Sequence, residues 1–411
     1  MMAGDPVVTG IGAITPLGTD APSTWRGLVA GESGVGPITH FDAARLPTRI
    51  AGEVKGLDPV AELGAKRSHR TARFSQMAIL AAREAVADAG LALEPIADRT
   101  GVAIGSAVAG TPESERNVAA LLEDGPKAVS PFYVASTIPN IAACEVAIDL
   151  SVHGPVTATA LACATGTYAL LEARRLILAG EAEVVIAGGA DAGINEAMFA
   201  GLSNMGPLSE RNDDPAAASR PFDSERDGFV FGEGAVVMVV ESAEHARERD
   251  ADAYGRVSGG ALTADAFHMS APAPDGTYAR RAIEIALEGA AIAPGELDYI
   301  CAHGTGTRAN DASETRAIRG ALGAAADSVA VSSPKSMVGH LIGAAGSLAV
   351  MVCLLAMRDS VIPPTINLDS PDPECRLDHV ALLAREAPVQ TAIANAFGFG
   401  GQNCVLALRA P

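Results

Sequence analysis

Apolar and polar positions follow two alternating rhythms along the chain. Short β-branched runs ending near glycine alternate with longer stretches of helical composition. Residues 6–9 form the first such run, closed by Gly10. Residues 74–89 read as a helix that stops at Gly90, a C-terminal cap. Residues 101–105 and 156–161 predict buried strands. A helix over about 164–179, ended by Gly180, follows the second, and 183–187 predict another strand. This βαβ rhythm predicts α/β architecture, with a mostly parallel sheet covered by helices.

One segment breaks the rhythm. Residues 203–228 are rich in Asp, Arg, Pro and Ser and predict an ordered surface loop. Extended strands are expected over 229–241 and 253–262. Helices near 278–287, 312–322 and 341–357 then alternate with strands near 299–302 and 329–331. Each half runs a strand into a reactive residue and then into a long apolar helix. The pattern predicts a duplicated α/β unit, with halves at 1–250 and 251–411.

Composition narrows the function. The 411 residues are 48% apolar and 19% charged, enough for a large packed core. Glycine is abundant, at 43 residues, which suits closely packed layers. A net charge of −19 argues against nucleic acid and against an anionic membrane surface. Only Lys55, Lys66, Lys127 and Lys335 are lysines, so their positions carry information. The first ten residues lack a basic start and a long apolar run, so no secretory signal is expected. The longest apolar run, 348–357, is far short of a membrane span. Six cysteines lack metal-ligand spacing, which predicts a reducing cytoplasmic setting, no disulfides and no metal.

Four clusters stand out as chemistry. Cys163 lies at a strand-to-helix junction, where the positive end of a helix dipole favours a thiolate. A buried structural cysteine is the competing reading, and it holds for the other five. His303, Thr305 and Thr307 sit in a loop at the end of a strand, where α/β sheets place ligands. A plain capped turn competes there, with Asn310, Asp311 or Ser313 as the cap. Lys335 and His340 lie five residues apart at the mouth of an apolar helix, where a charge needs a reason. Residues 395–403 carry three glycines around Phe397 and Phe399, either a hairpin or a mobile loop offering N–H groups to an oxyanion. A cysteine, two histidines and such a loop together suit acyl transfer through a thioester.

At these motifs the sequence closely resembles the elongating β-ketoacyl-acyl carrier protein synthases, over essentially the whole chain. Further matching stretches are 219–223, 227–234 and 362–368. The resemblance implies the thiolase fold, two duplicated α/β halves in five layers (α-β-α-β-α). It implies Cys163 as nucleophile, with the N–H groups of Cys163 and Phe399 as oxyanion hole and Phe399 as gate. His303 and His340 would hold the enolate formed by decarboxylation of a malonyl thioester, organised by Lys335 with Glu314. Thr305 and Thr307 would contact the phosphopantetheine arm, Phe397 would line the substrate site, and Ala107 and Val108 would gate the acyl pocket. No metal or soluble cofactor is implied, since the carrier brings the phosphopantetheine.

Expected partners are an acyl carrier protein and a second subunit, either a copy of this chain or a chain-length factor. Tyr133 would reach toward that subunit. A thiolase would carry a second cysteine where Phe399 stands, and a silent scaffold would lack Cys163. Gly206 replaces a basic residue that the family often uses for carrier docking. A local basic patch is expected instead at Lys66, Arg67, Arg70 and Arg73, with Lys127 beside it.

Overall fold

The structure is a computed structural model that describes residues 4–411. Its first half contains β1 (Val7–Ile14), α1 (Arg73–Asp88), β2 (Thr100–Gly105), α2 (Ile141–Leu150), β3 (Val156–Thr157), α3 (Thr165–Leu178), β4 (Val184–Asp191) and β5 (Gly234–Glu241). The second half contains β6 (Gly255–Ala264), α4 (Thr277–Gly289), β7 (Tyr299–Cys301), α5 (Arg308–Leu322), β8 (Ala330–Ser332), α6 (Ala345–Asp359), β9 (Asp378–His379), β10 (Thr391–Gly398) and β11 (Gln402–Arg409).

The strands are ordered β9-β8-β7-β10-β11-β6-β1-β5-β4-β2-β3. Reading outward from the middle, β1-β5-β4-β2-β3 is repeated by β6-β11-β10-β7-β8. Directions repeat too. β5 is antiparallel to β1 and β4, as β11 is to β6 and β10. The outer strands are parallel in both halves. Helices α3 and α6 pack between the two half-sheets, α1 and α2 cover one outside, and α4 and α5 cover the other. This is the five-layer thiolase arrangement.

Sequence explains the layers. Helix α6 is apolar on every side because it is buried on every side. Together with the turn before it, the apolar segment Ile342–Asp359 is 18 residues, longer than the run expected from sequence and long enough to cross a membrane. Its side chains are instead packed between the sheets.

Two expected strands shorten. The run at 156–161 is strand only over Val156–Thr157. Beyond it, Thr165 Oγ1 accepts from the Leu161 N–H (2.9 Å) and donates to the Ala162 carbonyl (2.7 Å), winding the chain into a turn. The run at 229–241 pairs regularly only from Gly234, after Phe231 has bridged to His340. The polar loop at 203–228 is ordered because Arg226 is buried within it. Its guanidinium meets Asp372 at 2.6 Å and Asp311 at 3.4 Å.

The two half-sheets join only where Val7 and Val8 face Arg256 and Gly255. Beyond that point two carboxylates of α1 replace the missing strand. Asp88 accepts from the Ile11 N–H (2.9 Å), and Glu84 accepts from Ala13 (2.8 Å) and Ala21 (2.7 Å). The sheets can then diverge without orphaned donors. Burial raises the Glu84 carboxyl from its usual 4.5 to about 7. Because the folded value lies above the unfolded one, this group favours the fold at low pH. Its contribution fades as pH rises from about 4.5 to 7. Urea melts across that window should therefore show a flatter pH dependence for Glu84→Gln than for the parent, and parallel profiles would refute the assignment.

Candidate active site

Cys163 lies in a tight turn, Ala162–Ala164, immediately ahead of α3. The turn is entered through Ala162 at φ 47°, a left-handed residue that bends the chain back sharply. Gly166 faces the start of α6, where a Cβ would fall 2.6 Å from the Ser347 nitrogen. That approach brings the second half's histidines over the thiol. The Cys163 sulfur and one ring nitrogen of His303 and of His340 all lie within 4.8 Å of one another. By donor type the trio suits a soft divalent ion as well as a nucleophile with two proton donors.

Two backbone N–H groups point at the sulfur, those of Phe399 and of Cys163 itself. They are the pair of donors from which an oxyanion hole is expected. Phe399 is 38% exposed at the rim. It sits on the turn of the β10–β11 hairpin, and the same turn carries one of the two N–H groups aimed at the sulfur.

His303 follows β7, and its backbone is clamped from two sides. Glu314 of α5 accepts from the His303 N–H (2.8 Å) and the Gly304 N–H (2.7 Å). Buried Lys335 donates to the His303 carbonyl. His340 is fixed differently. Its Nδ1 accepts from the Ile342 N–H at 3.2 Å, which leaves the proton on Nε2. That Nε2 has no protein partner, nor does Nδ1 of His303. The rings meet edge to face, with centroids 5.4 Å apart, and Phe397 packs on His303 at 5.8 Å.

Electrostatics make this a neutral site. Both imidazoles are held well below 6.5, by burial first and then by the Lys335 cation. Burial pushes the Cys163 thiol up to about 11, outweighing Lys335 and the two N–H groups. This corrects the expectation that a helix dipole would make it a thiolate. The cysteine precedes the regular helix, and its desolvation is the larger effect.

A cavity of about 720 Å³ opens onto the thiol. Ala107, Val108, Met198, Leu202 and Ile342 give it an apolar lining, and Thr305 and Thr307 lie along it with hydroxyls 3.0 Å apart. Thr307 is also the cap of α5, accepting from the Asn310 N–H; the structure gives no such role to Asn310, Asp311 or Ser313. Gly206 lines the cavity at φ 89°, where it ends the helix Glu196–Met205. A left-handed C-cap explains glycine there instead of a basic side chain.

Residues 5–246 match the family model described as beta-ketoacyl synthase, N-terminal domain, and residues 254–369 match its C-terminal domain. The chain belongs to the β-ketoacyl synthase family. It is 46% identical to a Synechocystis protein named 3-oxoacyl-[acyl-carrier-protein] synthase 2, over 98% of this chain and 97% of that one. A Coxiella burnetii protein of the same name is 45% identical over the same shares. Among solved structures, a type II PKS ketosynthase with its acyl-carrier protein matches at TM-score 0.92 and 32% identity, covering both chains fully. The ishigamide ketosynthase/chain length factor matches at TM-score 0.92 and 34% identity, again over both chains fully.

The basic patch is smaller than the sequence implied. Arg67 is tied to Asp149 and Glu145, and Arg73 to Glu233 (2.7 Å). Lys66 and Arg70 remain exposed, with Arg70 over the Phe132 ring at 5.2 Å. Lys127 is exposed but does not line the depression that Lys66, Arg67 and Arg70 share with Glu145.

Sequence reading missed three buried supports of this β-ketoacyl synthase site. Asn395 donates to Glu314 (3.1 Å), Asp311 accepts from the Thr305 N–H (3.1 Å), and Asp191 accepts from Gly343 (2.6 Å). A polar residue inside an apolar strand was the available signal for Asn395 and Asp191. A thiol this protonated has a measurable signature. Iodoacetamide labelling of Cys163, followed by peptide mass, should quicken about tenfold per pH unit up to about pH 10. A plateau below about pH 9 would contradict the neutral site.

Proposed function

We propose that this chain is a β-ketoacyl-acyl carrier protein synthase that extends an acyl group on Cys163 by two carbons from a malonyl thioester. One observation carries the reading: the thiol and both imidazoles converge within 4.8 Å at a cavity lined by Thr305, Thr307 and apolar side chains.

The chemistry follows from the geometry. Cys163 attacks the carbonyl of a carrier-bound acyl thioester. The oxyanion lies on the Cys163 and Phe399 N–H groups. The thiol proton passes to the departing pantetheine sulfur, and the acyl group stays on Cys163. A malonyl thioester then enters past Thr305 and Thr307 and loses carbon dioxide. The electron pair left behind becomes an enolate held by the proton-bearing nitrogens of His303 and His340. Its carbon attacks the acyl carbonyl, and Cys163 is released as the β-ketoacyl thioester leaves. No strong base is needed, which agrees with two imidazoles held far below their usual range.

Fatty-acid elongation is favoured over polyketide assembly by the 43–46% identity to the named 3-oxoacyl-acyl carrier protein synthases, against 32% for the type II PKS ketosynthase and 34% for the ishigamide ketosynthase/chain length factor. The same reading takes residues 1–250 and 251–411 as its duplicated halves, needs no metal or soluble cofactor, and places the chain in the cytoplasm. A second copy of the chain is the proposed subunit partner. Its support is that β3 ends the sheet among the described residues, with Val156 41% exposed, and that Val134, Ile138 and Ile148 are exposed too, at 68%, 38% and 68%.

Purified alone and given acyl and malonyl carrier thioesters, the chain should acylate Cys163 and elongate. Cys163→Ala should do neither, and His340→Ala should keep acylation but lose decarboxylation by roughly 100-fold. No mass added at Cys163 would sink the reading; activity only with a chain-length factor would favour the polyketide one. For docking, Lys66→Glu with Arg70→Glu should raise the Michaelis constant for carrier-bound substrate several-fold, about the effect of losing two favourable rim charges. Small acyl thioesters should be spared, and equal effects on both would refute the patch.

A further inference from the structure

Duplication gives the active-site turn a counterpart. Cys163 stands two residues before the start of α3, and Gly343 two residues before the start of α6. Both turns are entered through a left-handed residue, Ala162 at φ 47° and Ile342 at φ 51°. The strands β4 and β10 are equivalent as well, and they end at Asp191 and Gly398. In the catalytic half, a Cβ on Gly398 would crowd the Leu161 carbonyl and the Cys163 nitrogen, at 2.8 and 3.2 Å. In the other half the equivalent space is filled by the Asp191 carboxylate.

That carboxylate is fully buried, and four donors surround it. One oxygen accepts from the Ser106 hydroxyl and the Val108 N–H (3.1 Å). The other accepts from the Ala107 N–H (3.0 Å) and the Gly343 N–H (2.6 Å). Ser106 in turn accepts from the Ala109 N–H at 2.9 Å. One side chain thus joins two segments that are far apart in sequence. The first carries Ala107 and Val108, which line the acyl side of the cavity. The second carries Ile342, which lines the same cavity and donates the hydrogen bond that sets the His340 tautomer. The fit is tight, since a Cβ on Gly343 would lie 2.4 Å from the carboxylate.

We propose that Asp191 is a positioning residue that locks the Ala107–Val108 gate of the acyl pocket to the His340–Gly343 turn. It thereby sets both acyl-chain selection on Cys163 and the direction of the His340 Nε2 proton. Asp191 touches no substrate; it acts through the two segments it joins. A carboxylate suits this place because it accepts four hydrogen bonds and donates none. An amide of the same shape turns an NH2 toward one pair of donors and must push that segment away.

Asp191→Asn tests this directly. Folded enzyme is counted by stoichiometric alkylation of Cys163, so rates are taken per competent site. Two readouts follow: the rate of Cys163 acylation by short and long acyl thioesters, and malonyl decarboxylation across a pH series. The variant should lose roughly 10- to 100-fold in decarboxylation, as displaced catalytic groups do. Its long-to-short acylation ratio should shift by about tenfold. A purely structural Asp191 would lower the melting temperature and leave the per-site decarboxylation rate, its pH profile and the ratio unchanged, and that result overturns the proposal. If Asp191→Asn does not fold, Ser106→Ala removes one of the four donors and should move both readouts in the same direction by about threefold; no movement is again fatal. This inference rests on the elongation reading, and the two fail separately. A parent enzyme that never acylates Cys163 defeats that reading, whereas a working parent with an indifferent Asp191→Asn defeats only this one.

Discussion

Two helices at the centre approach so closely that neither tolerates a side chain at the contact. A Cβ on Gly166 of α3 would lie 2.6 Å from the Ser347 nitrogen, and one on Gly346 of α6 would lie 2.6 Å from the Thr167 nitrogen. The glycines are equivalent under the duplication, each one residue into its helix. This contact fixes the distance between the halves at the helix starts, where the reactive turns lie. Cys163 comes from one half and both histidines from the other, so their 4.8 Å cluster exists only because the helices meet here. A methyl group at either glycine would have to displace backbone, which a close-packed interior resists.

The duplication also shows how one symmetric frame yields one catalytic centre. The turn before α3 carries a thiol and leaves space above its N–H, since Gly398 ends the facing strand. The turn before α6 carries no side chain at Gly343, and Asp191 closes the space above it. Strand ends and turns are the same in both halves. Single residues at equivalent positions decide which half leaves its turn open and which is sealed.

Much of this was legible in the sequence, and the reason is rarity. Lysine and histidine are scarce here, so Lys335, His303 and His340 stood out at strand-to-helix junctions. The thiolase layering followed from the strand and helix rhythm once the family resemblance was added. The supporting roles of Asp191, Asp311 and Asn395 were not found, because a buried acid or amide becomes meaningful only when one knows which groups face it: main-chain N–H donors for the two acids, the Glu314 carboxylate for Asn395. For Asp191 and Asn395 those partners lie on other segments, 152 positions away for Gly343 and 81 for Glu314. The basic patch is smaller than expected for a related reason. Arg67 and Arg73 look free in sequence, but Asp149 and Glu233 neutralise them from 82 and 160 positions away. The strand at 156–161 was cut short by one hydroxyl, that of Thr165, whose two hydrogen bonds compete with the sheet.

Charge is handled in opposite ways outside and inside. The chain carries −19 overall, yet three buried acids that support the site are turned toward the main chain. Glu314 holds the amides of residues 303 and 304, Asp311 those of 305 and 306, and Asp191 those of 107, 108 and 343. Burial raises all three carboxyls above their usual range, and the N–H donors offset part of that cost. Lys335 is the cation among these groups, and it adds to burial in keeping both imidazoles neutral. An anion born at this point, whether tetrahedral oxyanion or enolate, meets aligned N–H donors and a nearby positive charge with little water to reorganise. A fixed imidazolium would bind the anionic malonyl carboxylate as readily as the enolate. Neutral donors favour the enolate oxygen that decarboxylation creates, which is the difference that catalysis requires.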